Sequence, residues 1–164
     1  MSENNGHILF VCTANTCRSP MAAALIRHAL AAEPEPLRSL GVESAGISAL
    51  ARYPAAANAD QTLRKVGLSL ANHRSAPLTQ EMLDRAFAVF CMTEAHRAVI
   101  EVQFERPPER LFLLREFVPT GERDLPDPFG MNLAAYEAAR DGIVEAIPSL
   151  LAYLRGQLVP PIAS

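Results

Sequence analysis

The stretch His7-Ile8-Leu9-Phe10-Val11-Cys12-Thr13-Ala14-Asn15-Thr16-Cys17-Arg18-Ser19-Pro20 decides the fold. The run at 7–11 reads as a strand buried on both faces. It ends on a cysteine, and Arg18, Ser19 and Pro20 follow after a short loop. Proline suits the first turn of a helix, where its missing N–H is not needed. Residues 21–31, rich in Ala and Leu, favour helix. A strand that turns through a short loop into a helix makes an anion cradle. Backbone N–H groups point into the loop, and the positive end of the helix dipole lies beneath it. Those N–H groups also stabilise a thiolate at Cys12. Arg18 offers a planar fork to two phosphate oxygens, and Ser19 is close enough in sequence to donate a hydroxyl to the sulfur. Cys-x5-Arg alone arises often by chance. Its place between a buried strand and a helix makes it specific for attack on phosphorus.

Working outward, strands are expected at 42–45, 86–92 and 110–114. Helices are expected at 55–65, stopped by Gly67, and at 94–104, with Thr93 as N-cap and Pro107-Pro108 beyond its end. A last helix covers 132–147, and Pro148 is expected to kink or restart it before 150–154. Strands alternating with helices predict an α/β fold. It is a single-domain three-layer sandwich with a central parallel sheet of about four strands, helices on both faces and a phosphate-binding loop after strand 1. In such sheets ligands bind at the carboxyl ends of strands, where Cys12 stands. The folded unit is expected over 7–157, with a flexible N-terminus at 1–6 and a flexible tail at 158–164 that includes Pro160-Pro161.

At 164 residues, 49% apolar and 20% charged, the chain fits one soluble domain with a real core. A net charge of -3 gives no basic field, so neither nucleic acid nor an anionic membrane is an expected partner. Three cysteines make no disulfide framework and suit the reducing compartment that a catalytic thiol needs. The polar start Met1-Ser2-Glu3-Asn4-Asn5-Gly6 lacks the features of a signal peptide, and no apolar stretch is long enough to span a bilayer. A cytoplasmic monomer is expected. No Cys, His and Asp cluster has metal-ligand spacing, and no Gly-Lys-Ser/Thr nucleotide loop is present, so no metal and no cofactor are expected. Cys91, at a strand end, reads as a core residue.

The segment 11–22 resembles the active-site loop of the low-molecular-weight protein tyrosine phosphatase family. Leu125-Pro126-Asp127-Pro128-Phe129-Gly130 is similar to that family's general-acid motif. Glu43-Ser44-Ala45-Gly46 and Asn72-His73-Arg74-Ser75-Ala76-Pro77-Leu78-Thr79 match between them, in the family's order. The resemblance implies that Cys12 is the nucleophile, forming a cysteinyl-phosphate. Arg18 stabilises the transition state, and Asp127 protonates the leaving group and then activates water. Thr13, Ala14, Asn15, Thr16, Cys17, Ser19 and Phe129 would contact substrate, and Asn15, Ser44 and His73 would brace the loop. Asn15 is also suited to this on its own account, since asparagine tolerates left-handed backbone. By the resemblance Cys17 could form a reversible disulfide with Cys12; it could equally be a small packing residue. Glycine is usual in the family where this chain has Ala14, so Ala14 must take negative φ or hold strain.

Two residues bear on the leaving group. Many members of the family place two aromatic residues after Asp-Pro, whereas here Phe129 is followed by Gly130. Thr16 stands where tyrosine-specific members carry a bulkier aliphatic residue. Together these resemble the protein-arginine phosphatase branch, in which the threonine narrows the pocket and the acid also partners the substrate guanidinium. The expected substrate is a phosphorylated protein, phosphoarginine ahead of phosphotyrosine, with inorganic phosphate as product. A thiol-dependent arsenate reductase would need two further neighbouring cysteines downstream, where only Cys91 lies. An inactive phosphate-binding module has only Ala14 in its favour.

Overall fold

The structure, a computed structural model, describes residues 6–159. One sheet contains β1 (His7–Cys12), β2 (Gly41–Gly46), β3 (Ala86–Cys91) and β4 (Leu111–Leu113), all parallel and in the order β2-β1-β3-β4. The helices are α1 (Arg18–Leu30), α2 (Ala57–Arg64), α3 (Gln80–Arg85), α4 (Glu94–Gln103) and α5 (Leu133–Leu158).

Strand β1 divides the core in two. Side chains alternate across a strand, and residues 8 to 11 have no exposure at all. Ile8 and Phe10 join Met21 and Ile26 of α1, Leu63 of α2, and Ile143 and Leu150 of α5. Leu9 and Val11 join Leu83 of α3, Ile100 of α4, and Cys91. The three-layer sandwich expected from strand–helix alternation is therefore the fold. The chain leaves β1 toward β2 on one side and returns to β3 on the other. This puts a change in strand order at the carboxyl end of β1, where Cys12 pairs with Gly46.

Several details depart from the expected pattern. Helix α5 runs unbroken through Pro148, so the helix does not restart after it. Pro148 is exposed, as is Val144, whose carbonyl loses its partner and can turn to water. Ile143 and Ala146 before the proline, and Leu150, Leu151 and Leu154 after it, fix the helix to the core on both sides. Packing outweighs one missing hydrogen bond. Helix α3 was not anticipated; Thr79 caps it by accepting from the Met82 N–H at 3.2 Å. Leu158 closes α5 with Val159 as its C-cap, and residues 160–164, like residues 1–5, lie outside the described residues. Among the described residues no helix is long and apolar enough to cross a membrane.

Phe90 has no exposure and stacks on Phe10 with ring centroids 5.5 Å apart. Phe90→Ala should therefore lower stability by about 3–5 kcal/mol. The reading is a lower urea midpoint at an unchanged slope.

Candidate active site

The loop between β1 and α1 is held from outside. The carbonyls of Cys12 and Thr13 accept from the Ile47 and Ser48 N–H groups, each at 2.9 Å. That of Thr16 accepts from the Ala56 N–H at 2.9 Å, and that of Asn15 from His73 Nε2 at 2.8 Å. A planar trans peptide directs its N–H opposite to its C=O. Carbonyls drawn outward therefore turn the N–H groups of Thr13, Ala14, Thr16 and Cys17 inward. The amino end of α1 adds its dipole at Arg18. Gly46 allows this closeness: a Cβ there would sit 2.5 Å from the Thr13 carbonyl oxygen.

Asn15 is fully buried at φ 59, a left-handed conformation that asparagine accepts better than other non-glycine residues. Its Nδ2 donates to Ser19 Oγ at 2.7 Å and to Ser44 Oγ at 3.0 Å, and its Oδ1 accepts from the Ala76 N–H at 2.9 Å. Ser19 Oγ stands 2.9 Å from Cys12 Sγ and 3.4 Å from the Ala45 carbonyl. Because Asn15 donates to Ser19, the serine proton is free for the nearer acceptor, the sulfur. Among the described non-glycine residues, positive φ occurs at Asn15 and Arg52. Ala14 thus takes the negative-φ alternative, and the loop's left-handed turn falls on its neighbour. Burial pushes the His73 pKa below the ordinary histidine value, so a neutral ring donates its Nε2–H to Asn15.

The other two cysteines are kept as thiols. Burial raises the pKa of Cys17, whose Sγ lies 3.3 Å from the Tyr136 hydroxyl on α5, and lifts that of Cys91 to about 12. Cys91 is fully buried, as its core assignment requires.

Asp127 reaches the cradle from the loop before α5. Arg18, almost wholly buried, donates from Nη1 to the Leu125 carbonyl at 2.8 Å. Its Nη2 lies 3.5 Å from Asp127 Oδ2, on a carboxylate side chain that is 49% exposed. Asp127 Oδ1 accepts from the Phe129 N–H at 3.1 Å. A cavity of about 180 Å³ is lined by Cys12, Thr13, Ala14, Thr16, Cys17, Arg18, Asp127 and Phe129. Asn15, Ser19, Ser44 and His73 form the support beneath it. A nucleophilic sulfur, a fixed guanidinium and an exposed carboxylate face one small space, an arrangement fit to pass a phosphoryl group to sulfur. Phe129 is 67% exposed and forms a rim rather than a closed wall. Among the described residues no group of three or more His, Cys, Asp and Glu gathers as a metal site.

Two contacts escaped sequence reasoning. His96, on the first turn of α4, places Nε2 2.9 Å from Thr13 Oγ1, and its Nδ1 is buried without a partner. Tyr136 covers Cys17. A histidine three positions after the Thr93 cap carried no local sign of either neighbour.

A family model described as low molecular weight phosphotyrosine protein phosphatase matches residues 7–159. A Bacillus subtilis protein named Protein-arginine-phosphatase is 40% identical over 148 residues, 90% of this chain and 96% of its own. A Ralstonia nicotianae protein named as a probable low molecular weight protein-tyrosine-phosphatase is 32% identical over 148 residues, 90% of this chain and 95% of its own. The structure of YwlE arginine phosphatase from Geobacillus stearothermophilus superposes with a TM-score of 0.83 at 36% identity, covering 97% of this chain and 99% of its own.

Two outcomes follow from the loop. Asn15→Ala removes hydrogen bonds worth about 1 kcal/mol each and adds left-handed strain of about 1–2 kcal/mol. Urea unfolding should show a loss of at least about 2 kcal/mol, well beyond a typical surface substitution. His96 responds to pH. Burial first, then the Arg18 charge, bring its pKa from 6.5 down to about 4. Below pH 6.5 the unfolded chain binds a proton that the native ring refuses, so the stabilisation is full above that pH and is lost toward pH 4. Stability measured by urea should fall across this window, and His96→Gln should flatten part of the fall.

Proposed function

We propose that this chain, which belongs to the low molecular weight phosphotyrosine protein phosphatase family, hydrolyses phosphoarginine in proteins. The observation that carries this reading is the convergence of Cys12, Arg18 and Asp127 on one cavity with Thr16 and Phe129 at its mouth. Cys12 thiolate attacks phosphorus. The bond from phosphorus to the guanidino nitrogen breaks, and Asp127 gives its proton to that nitrogen. Arg18 and the inward N–H groups bind the equatorial oxygens as charge gathers there. Water then attacks the phosphocysteine and Asp127 takes its proton. The P–S bond breaks, inorganic phosphate leaves and the thiolate is restored. The Ser19 hydroxyl, 2.9 Å from the sulfur, favours the thiolate at both ends of the cycle.

Arginine is favoured over tyrosine by the open rim. Phe129 is the one aromatic residue lining the Cys12 cavity, and the glycine at φ 76 after it adds no side chain there. A carboxylate at the mouth is a good partner for a guanidinium, and the name of the Bacillus subtilis relative agrees. A phosphotyrosine reading is supported by the same Phe129, which can stack on a ring, and by the name of the Ralstonia relative. Cysteines that are all unpaired suit a reducing cytoplasm, where we place a monomeric enzyme.

Turnover of phosphoarginine and phosphotyrosine peptides, measured side by side, tests the substrate. Phosphoarginine should have the higher kcat/KM, and Cys12→Ser should abolish both activities while leaving the fold intact. Thr16→Ile should shift the ratio toward phosphotyrosine. The added bulk crowds the guanidinium and adds apolar surface worth on the order of 1 kcal/mol. A higher wild-type efficiency on phosphotyrosine would replace the arginine reading with the tyrosine one.

A further inference from the structure

Arg115 follows β4 and is buried, its side chain only 7% exposed, yet the reaction above gives it no task. Its Nε donates to the Glu122 carbonyl at 2.6 Å. Its Nη1 donates to the Gly142 carbonyl on α5 at 2.8 Å and lies 2.7 Å from Glu145 Oε1. The rigid guanidinium fork thus ties the start of the Asp127 loop to one level of α5. Between the loop and α5 lies a cavity of about 380 Å³, bounded by Arg115, Leu125, Pro126, Gly142 and Glu145 among others. The loop meets the helix where a Cβ on Gly142 would come within 2.7 Å of Leu125 Cδ1, and again where Tyr136 bonds the Gly130 backbone. Leu125 is also fixed in height, since its N–H donates to the Met92 carbonyl at 2.9 Å and its carbonyl accepts from Arg18.

We propose that Arg115 is a positioning residue for the general acid: by holding Glu122 and Gly142 together it keeps the loop from settling into the cavity and sets how far Asp127 reaches toward the leaving atom. This rests on Asp127 being the acid. Loss of the fork frees the segment ahead of Leu125, and the aim of Asp127 beyond that held point is lost. Sulfur attack stays intact, but proton delivery fails. The deficit then depends on how much the leaving group needs a proton.

The test uses the whole chain and two substrates, 4-nitrophenyl phosphate, which departs with little help, and phenyl phosphate, which needs the acid. The quantity read is the ratio of kcat/KM on the two. In Arg115→Met and Arg115→Lys that ratio should move against phenyl phosphate by about tenfold or more, a part of the 10²–10⁴ that general acid catalysis commonly supplies. Lysine keeps the charge but lacks the planar fork, and it serves should the methionine variant fail to fold. Asp127→Asn should move the ratio further, and adding Arg115→Lys to it should move it no more, because the two act through one proton. Glu145→Gln leaves both carbonyl bonds in place and should leave the ratio alone. Equal losses on both substrates in the Arg115 variants, with Asp127→Asn still selective, would reduce Arg115 to a structural residue and overturn the proposal. An unchanged ratio in Asp127→Asn itself would overturn the general-acid reading, and this proposal with it.

Discussion

Asn15 stands in the middle of the cradle at φ 59, shut away from solvent, and its amide is where separate parts of the chain meet. It bonds Ser19 at the start of α1, Ser44 in β2 and the backbone of Ala76, while His73 holds its carbonyl. Each bond is modest alone. Together they fix a backbone shape that few side chains tolerate, in a place where water cannot substitute. The left-handed turn of the cradle and the free Ser19 proton follow from that one residue being held.

The site rests on two kinds of support. Below, the sheet and α1 supply a rigid floor, and residues 8 to 11 are wholly enclosed by helices on either face. Above, the Asp127 segment is a loop held by few bonds. Arg18 joins the two layers. One nitrogen of its guanidinium grips the Leu125 carbonyl and the other faces Asp127 across 3.5 Å. The group proposed to bind phosphate therefore also touches the segment that carries Asp127. Electrostatic preorganisation of this kind needs the donors to be in place before charge develops.

What could be read from sequence was what local chemistry dictates. The apolar run, the Cys12–Arg18 spacing and Pro20 gave the strand, loop and helix. Asn15 was suited to left-handed backbone before its φ was seen. Asp127, Ser44 and His73 needed a family resemblance, because their own neighbourhoods say little. The partnerships Thr13–His96 and Cys17–Tyr136 join residues 83 and 119 apart, and no local pattern encodes such pairs. Pro148 misled for the opposite reason. Its local penalty is real, but core contacts on both sides of it decide the outcome. Helix α3 is too short for periodicity to reveal, and only its Thr79 cap marks it.

The cover that Tyr136 places on Cys17 has a consequence for the chain while it is being made. The thiols of Cys12 and Cys17 leave the ribosome early, whereas β3, which flanks β1, and α5, which carries Tyr136, come much later. At ordinary rates of synthesis the interval from the first loop to Tyr136 is on the order of ten seconds. Through that time Cys17 lacks the tyrosine that covers it in the folded protein. In the folded protein both sulfurs are buried. The burial of both thiols is thus completed only when the last helix docks, and the order of synthesis leaves Cys17 the later of the two to be enclosed.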